Sequence, residues 1–285
     1  MTATVILALA TSALFGVGDF LGGFATRRDS AMTVTATSHM VSIVLLAAAA
    51  LLMPATAVGG RDIAFGALAG LSGVFGVMSL FAALALGRMS VVAPVVAALS
   101  AAIPATYDMI TGTRLSAVTL AGIALALVAI VIVSIAPDQQ PHGGSHEYRP
   151  RRALALALVA GVGFSGAFIA LSFTGAESGF APVVASRVVS IAVAVPLALR
   201  FGRGFPVDRS ARPATLGAGV TDAFANITML SAIRLGPLAV ASVLGSFFPV
   251  VVVILARVFL KERLHSWQRV GVVIALVAVV LAAVP

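Results

Sequence analysis

The sequence contains no cysteine. Neither a disulfide framework nor a thiolate metal site can be built from it. Charge is nearly as scarce: Asp, Glu, Lys and Arg make up 10% of the residues, against about 25% in an ordinary soluble domain. Lys261 is the single lysine among 18 basic residues. Catalytic signatures are missing too. His146-Glu147 is followed by Tyr148-Arg149-Pro150, which is not a zinc-binding HExxH, and there is no P-loop. His142 and His265 sit in polar connections. No enzyme activity, metal or cofactor is expected, and ATP is not expected to drive this chain directly.

What is there is apolar. Hydrophobic residues make up 60% of the 285, and the mean hydropathy is +1.12. No globular core of this size hides so much apolar surface, so most of it must face lipid or other buried helices. Ten apolar runs of about 20 residues fit a ~30 Å hydrocarbon core: residues 4–25, 31–54, 63–86, 90–111, 115–136, 154–175, 180–200, 213–234, 238–260 and 265–284. The first run has no Lys or Arg before it, unlike a secretory leader. It is expected to be a retained helix. The connections are short except for residues 137–152, which are rich in Pro, Gly and charge and read as a linker.

Residues 75–136 read again without a gap as 224–285, an offset of 149. Leu86-Gly87 falls on Leu235-Gly236, Arg114-Leu115 on Arg263-Leu264, and Gly122 on Gly271. Apolar matches are cheap in such a chain; the Gly and Arg matches at helix ends carry the information. The same offset puts Phe15-Gly16 on Phe164-Ser165. An odd number of helices per repeat inverts the second copy in the membrane. The predicted fold is therefore an all-α membrane protein. It has ten transmembrane helices as two inverted five-helix repeats, residues 1–136 and 153–285, joined by 137–152. Small residues four apart, such as Gly18 with Gly22 and Gly66 with Gly70, predict close helix contacts. Pro94, Pro104, Pro196 and Pro249 predict kinks.

Several elements resemble the EamA family of the drug/metabolite transporter superfamily, over nearly the whole chain. They are Phe15-Gly16 in the first segment, Arg187 within SRVVS, and the block from Leu235 with its Lys261-Glu262-Arg263-Leu264 turn, Gln268 and Gly271. Three departures fall in the first half: Phe15 where Trp is common, Ser38 where the second half has Arg187, and Thr113 where the turn Glu would fall. The resemblance implies a ten-helix exporter or exchanger of small metabolites, amino acids or drugs in the cell membrane.

Ionisable side chains deep in a membrane are costly and mark candidate sites. Arg257 and Asp108 lie three residues from segment ends and can reach an interface by snorkelling. Asp222 lies nine residues into segment eight, roughly 14 Å deep. Asn226 follows one turn later on the same face. Arg187 enters segment seven from the opposite side at a depth from which it can reach Asp222. This group is either a structural ion pair or a substrate site, in which Arg187 holds a carboxylate and Asp222 an amine or a proton. Asp19 and His39 form a second candidate pair, both roughly 9–12 Å below one face. They are either a hydrogen bond near the interface or a proton site.

The expected function is secondary transport by alternating access around a site between the halves. Its expected partners are a small-molecule substrate, protons and the lipid bilayer. The formal charge of +8 sits in connections, which points to topology and anionic headgroups rather than nucleic acid. A homodimer is an open alternative. The competing function is a membrane enzyme or flippase acting on lipid-linked substrates, which needs polar residues clustered near one interface. A pore needs a continuous polar stripe.

Overall fold

A chain of Ala, Val and Leu in lipid must satisfy its backbone internally, and helices do so. The computed structural model describes residues 2–111, 148–235, 248–261 and 266–282, with scattered positions between 117 and 132. Its helices are α1 (Thr2–Thr26), α2 (Ala31–Leu52), α3 (Gly60–Leu86), α4 (Met89–Ile110), α5 (Pro150–Ser172), α6 (Ala181–Phe201), α7 (Arg212–Leu235), α8 (Phe248–Phe259) and α9 (Ser266–Ala282). A short 3₁₀ turn, Ala176–Ser178, precedes α6. No strand occurs among the described residues. The fifth apolar segment and Gly236 fall largely or wholly outside the described residues, as does the first part of the ninth segment.

Five helices, α1, α2, α3, α5 and α6, are long and apolar enough to cross a membrane. At 24 residues, α7 spans about 36 Å, but it carries Thr215, Thr221, Asp222, Asn226 and Thr228. It packs between α1 and α2, which shield this polar face. α5 begins at Pro150, inside the stretch read as linker. Proline lacks the N–H that a first helical turn leaves unpaired, and its fixed φ suits that position. Ser30 caps α2 by accepting a hydrogen bond from the Thr33 N–H at 3.1 Å. Pro94 and Pro104 lie inside α4 and Pro196 inside α6; Pro249 falls in the first turn of α8.

The contacts between the two halves come in matched pairs. α3 lies along α5, and α1 along α7; α3 also meets α6, and α2 meets α7; α4 meets α5, and α1 meets α8. Each second pairing is the first transposed by the 149-residue offset. The match extends to atoms. A Cβ on Gly16 would stand 2.7 Å from the carbonyl oxygen of Phe248. At the position 149 later, the Ser165 hydroxyl donates to the carbonyl of Leu99 at 3.3 Å. Leu99 and Phe248 are themselves 149 apart. Gly70 presses on the backbone of Ser186, and Gly219, its counterpart, presses on the carbonyl of Ser38. Side chains at either glycine would hold the helices apart.

Two sets of connections separate the ends of the bundle. At one end the Asp29 carboxylate accepts from the Asp208 N–H at 2.7 Å, and Arg28 donates to the carbonyl of Ser210 at 2.8 Å. At the other end the Asp62 carboxylate accepts from the Gly175 N–H at 2.7 Å, and the Thr56 N–H donates to the carbonyl of Glu177 at 3.1 Å. Each end thus has a carboxylate clasp between the halves: Asp29 reaches the connection after α6, and Asp62, in the first turn of α3, reaches the connection after α5.

Candidate functional site

The polar face of α7 turns toward α2 and α6, and this brings the charged residues together. Arg187 of α6 donates through one nitrogen, Nη2, to both carboxylate oxygens of Asp222, at 2.8 and 2.7 Å. Ser42 of α2 donates to the same carboxylate at 2.6 Å. Asn226, one turn along α7, donates to the Asp222 backbone carbonyl at 2.8 Å and lies 3.4 Å from Oδ1. The pair is mostly enclosed, with 11% of the Arg187 side chain and 20% of the Asp222 side chain accessible. Next to it, the Ser190 hydroxyl donates to the Gly70 carbonyl at 3.0 Å and ties α6 to α3. One donor is left over: Arg187 Nε is buried without a partner among the described residues.

Beside this cluster is a cavity of about 30 Å³, large enough for one or two waters. Phe15, Gly18 and Asp19 of α1, Ser38 and His39 of α2, Val77 and Phe81 of α3, and Ala218 and Asp222 of α7 line it. The two pairs read from the sequence therefore adjoin one space. Asp222, Asp19 and His39 border it, and Arg187 stands behind Asp222. No hydrogen bond joins Asp19 to His39 among the described residues. His39 is 2% exposed, and its Nδ1 has no partner among them. Asn226 supports Asp222 and is not among the lining residues.

Ser42 and Ser38 belong to the site; the sequence marks Ser38 only as the counterpart of Arg187 and does not mark Ser42. Their spacing was available: Ser38, His39 and Ser42 fall on one face of a helix, and His39 already marked it. Arg257 lies exposed in the last turn of α8, where it can snorkel. The side chain of Asp108 lies outside the described residues. No group of His, Asp or Glu among the described residues is arranged to hold a metal ion.

Residues 151–284 match the model of the EamA-like transporter family. The second half of this chain is an EamA-like transporter domain. That family belongs to the drug/metabolite transporter superfamily, and with its apolar helices the chain is a multi-pass membrane protein. A solved crystal structure aligns with 99% of the EamA-bearing chain and 96% of its own, with a TM-score of 0.67 and 17% identity. That likeness shows a shared fold. No curated protein matches the sequence.

Proposed function

We propose that this protein is a secondary transporter, an exporter of small metabolites, amino acids or drugs from the cell, working by alternating access around the cavity beside Asp222. The observation that carries the reading is the place of that cavity. Its lining comes from α1, α2 and α3 of the first half and α7 of the second, at the seam where the halves meet. A ten-span inverted repeat would put a substrate site there. The matched contacts across the halves support the repeat, since equivalent pairings related by one offset are what a two-fold axis produces. The polar groups gather at this seam rather than at an interface, which speaks against chemistry on lipid headgroups.

With no nucleotide-binding motif, the drive is a gradient or exchange. Asp19 is the coupling group in this reading. Arg187 is already bonded to Asp222, whereas Asp19 has no cationic neighbour bonded to it. The test is counterflow in proteoliposomes with and without an imposed pH step. Accumulation against the substrate gradient only with the step supports proton coupling. Equal final levels leave exchange or facilitated diffusion as the mechanism, and a failure of any solute to exchange sinks the transporter reading.

A further inference from the structure

The ionisable side chains around the central cavity are unevenly matched. Two carboxylates, Asp19 and Asp222, line it, and neither Lys nor Arg does. Arg187 neutralises Asp222 from outside the cavity, and Ser42 adds a third hydrogen bond to that carboxylate. Asp222 is thus satisfied without a ligand. Asp19 is not: no described residue donates a hydrogen bond to it. An isolated carboxylate within a membrane is accommodated either with a proton or beside a counter-charge, so it can exchange one for the other. Two further observations point the same way. His39, almost wholly buried on this cavity, keeps Nδ1 without a partner, which as an acceptor would take an N–H. Phe15 and Phe81 also line the cavity, and aromatic rings attract cations.

We infer that the cavity binds the ammonium group of a small organic amine carrying one positive charge, with Asp19 as the counter-ion. The inference rests on the transporter reading for its role but concerns binding. A zwitterion would find no basic side chain on the cavity wall to seat its carboxylate, since Arg187 is not among the lining residues. An anion would meet Asp19 directly. The cavity admits an ammonium head; the apolar residues Phe15, Val77 and Phe81 border it, and the space must widen beside them to take the body attached to that head.

Three probes share one body and differ in charge: phenethylamine, phenylalanine and 3-phenylpropionate. The chain has no cysteine, so Val77→Cys places a unique thiol on the cavity wall. Phenethylamine is expected to slow alkylation of that thiol by N-ethylmaleimide at least fivefold, and the other two to leave it within twofold. Asp19→Asn added to Val77→Cys should abolish the protection, and Asp19→Glu should keep it. If Asp19→Asn does not fold, judged by its size-exclusion profile, the three-probe comparison on Val77→Cys alone decides. Protection by phenylalanine or 3-phenylpropionate, or by none of the three, overturns the inference. So does protection by phenethylamine that persists in Asp19→Asn. Sodium chloride replaced by sorbitol at constant osmolarity should change nothing; protection by sodium itself would mean a metal-cation site and overturn the amine assignment. Counterflow of the same probes separates the two proposals. Protection without exchange leaves the amine site standing and removes the transporter reading. Exchange of phenylalanine without amine protection does the reverse.

Discussion

Arg187 meets Asp222 through a single nitrogen that reaches both carboxylate oxygens, so its Nε and the rest of the fork are left out of the pair. The geometry is that of a charge held in place rather than a bidentate clamp on a ligand. Removing either partner has unequal consequences. Arg187→Ala strands a carboxylate in a mostly enclosed site, and breaking a buried pair costs about 3–5 kcal/mol. Asp222→Asn keeps the shape and the Ser42 and Asn226 contacts. We therefore expect Arg187→Ala to lower the melting temperature in detergent clearly more than Asp222→Asn. Asp222→Asn should insert normally and transport at under a tenth of the wild-type rate. Wild-type rates in both variants would remove Asp222 and Arg187 from the site.

Ser42 supplies a third, short hydrogen bond to the same carboxylate. Hydrogen bonds to a charged group contribute about 1.5–3 kcal/mol. Ser42→Ala should destabilise the protein by an amount in that range, and Ser42→Thr, which keeps the hydroxyl, by less. A double-mutant cycle of Ser42→Ala with Asp222→Ala, read by thermal unfolding, should give a coupling well above zero. Additive losses would mean that the two residues do not interact.

How much of this was legible in the sequence depends on what each residue stands out against. Asp222 and Arg187 are charges in apolar runs, and lipid makes such residues conspicuous. Ser42 was invisible because hydroxyls are common in membrane helices, where they bond their own backbone; Ser165 does this with Gly161 at 2.7 Å while also reaching Leu99. The meeting of Asp19 and His39 with Asp222 could not be read either. It requires α1 and α2 to pack on α7, roughly 200 residues away, and no local period encodes that. Helix positions were legible because apolar length in a bilayer is a strong constraint. The start of α5 was not, since Arg149, Arg151 and Arg152 look like linker although a proline at the first helical position favours a helix. The carboxylate clasps of Asp29 and Asp62 were missed for the same reason as Ser42: in a connection, an acidic residue is unremarkable.

Gly70 and Gly219 test the repeat as packing. Each lies where a Cβ would strike backbone of the other half. Overpacking of this kind costs about 1–3 kcal/mol. Gly70→Ala and Gly219→Ala should each lower the melting temperature by several degrees. Gly60→Ala, with open space around it, should not. Equal behaviour of all three would mean that the halves do not meet along these glycines.

The clasps test alternating access. Ala57 N–H donates to the Glu177 carbonyl at 3.3 Å at one end, and Arg28 donates to the Ser210 carbonyl at 2.8 Å at the other. In the cysteine-free chain, the pairs Ala57→Cys with Glu177→Cys and Asp29→Cys with Asp208→Cys, the second at the short Asp29 carboxylate contact to the Asp208 N–H, can each be oxidised alone. Each cross-link should stop counterflow, and reduction should restore it. Substrate should change the two cross-linking rates in opposite directions. Full transport with both pairs cross-linked would show that neither end opens.

The last prediction concerns orientation, and charge decides it. Connections one–two, three–four, five–six, seven–eight and nine–ten of the ten-span reading hold 13 basic residues when Arg200 and Arg269 at the adjoining segment ends are included, and the other face has Arg61, Arg114 and, at a segment end, Arg234. In the structure the Arg28 connection and the Arg203 connection meet, with Arg203 donating to the Arg28 carbonyl at 3.0 Å. The basic connections that are described thus share one end with the Asp29 clasp, and Asp62 marks the other. Basic connections stay in the cytoplasm, which puts both termini outside; the family resemblance implies the reverse. Single cysteines at Arg209 and Ala57, both exposed and at opposite ends, separate the two. With an impermeant maleimide on intact cells, Ala57→Cys should label and Arg209→Cys should label only after the membrane is opened. Labelling of Arg209→Cys in intact cells would reverse the orientation and put the Asp29 clasp on the outer face.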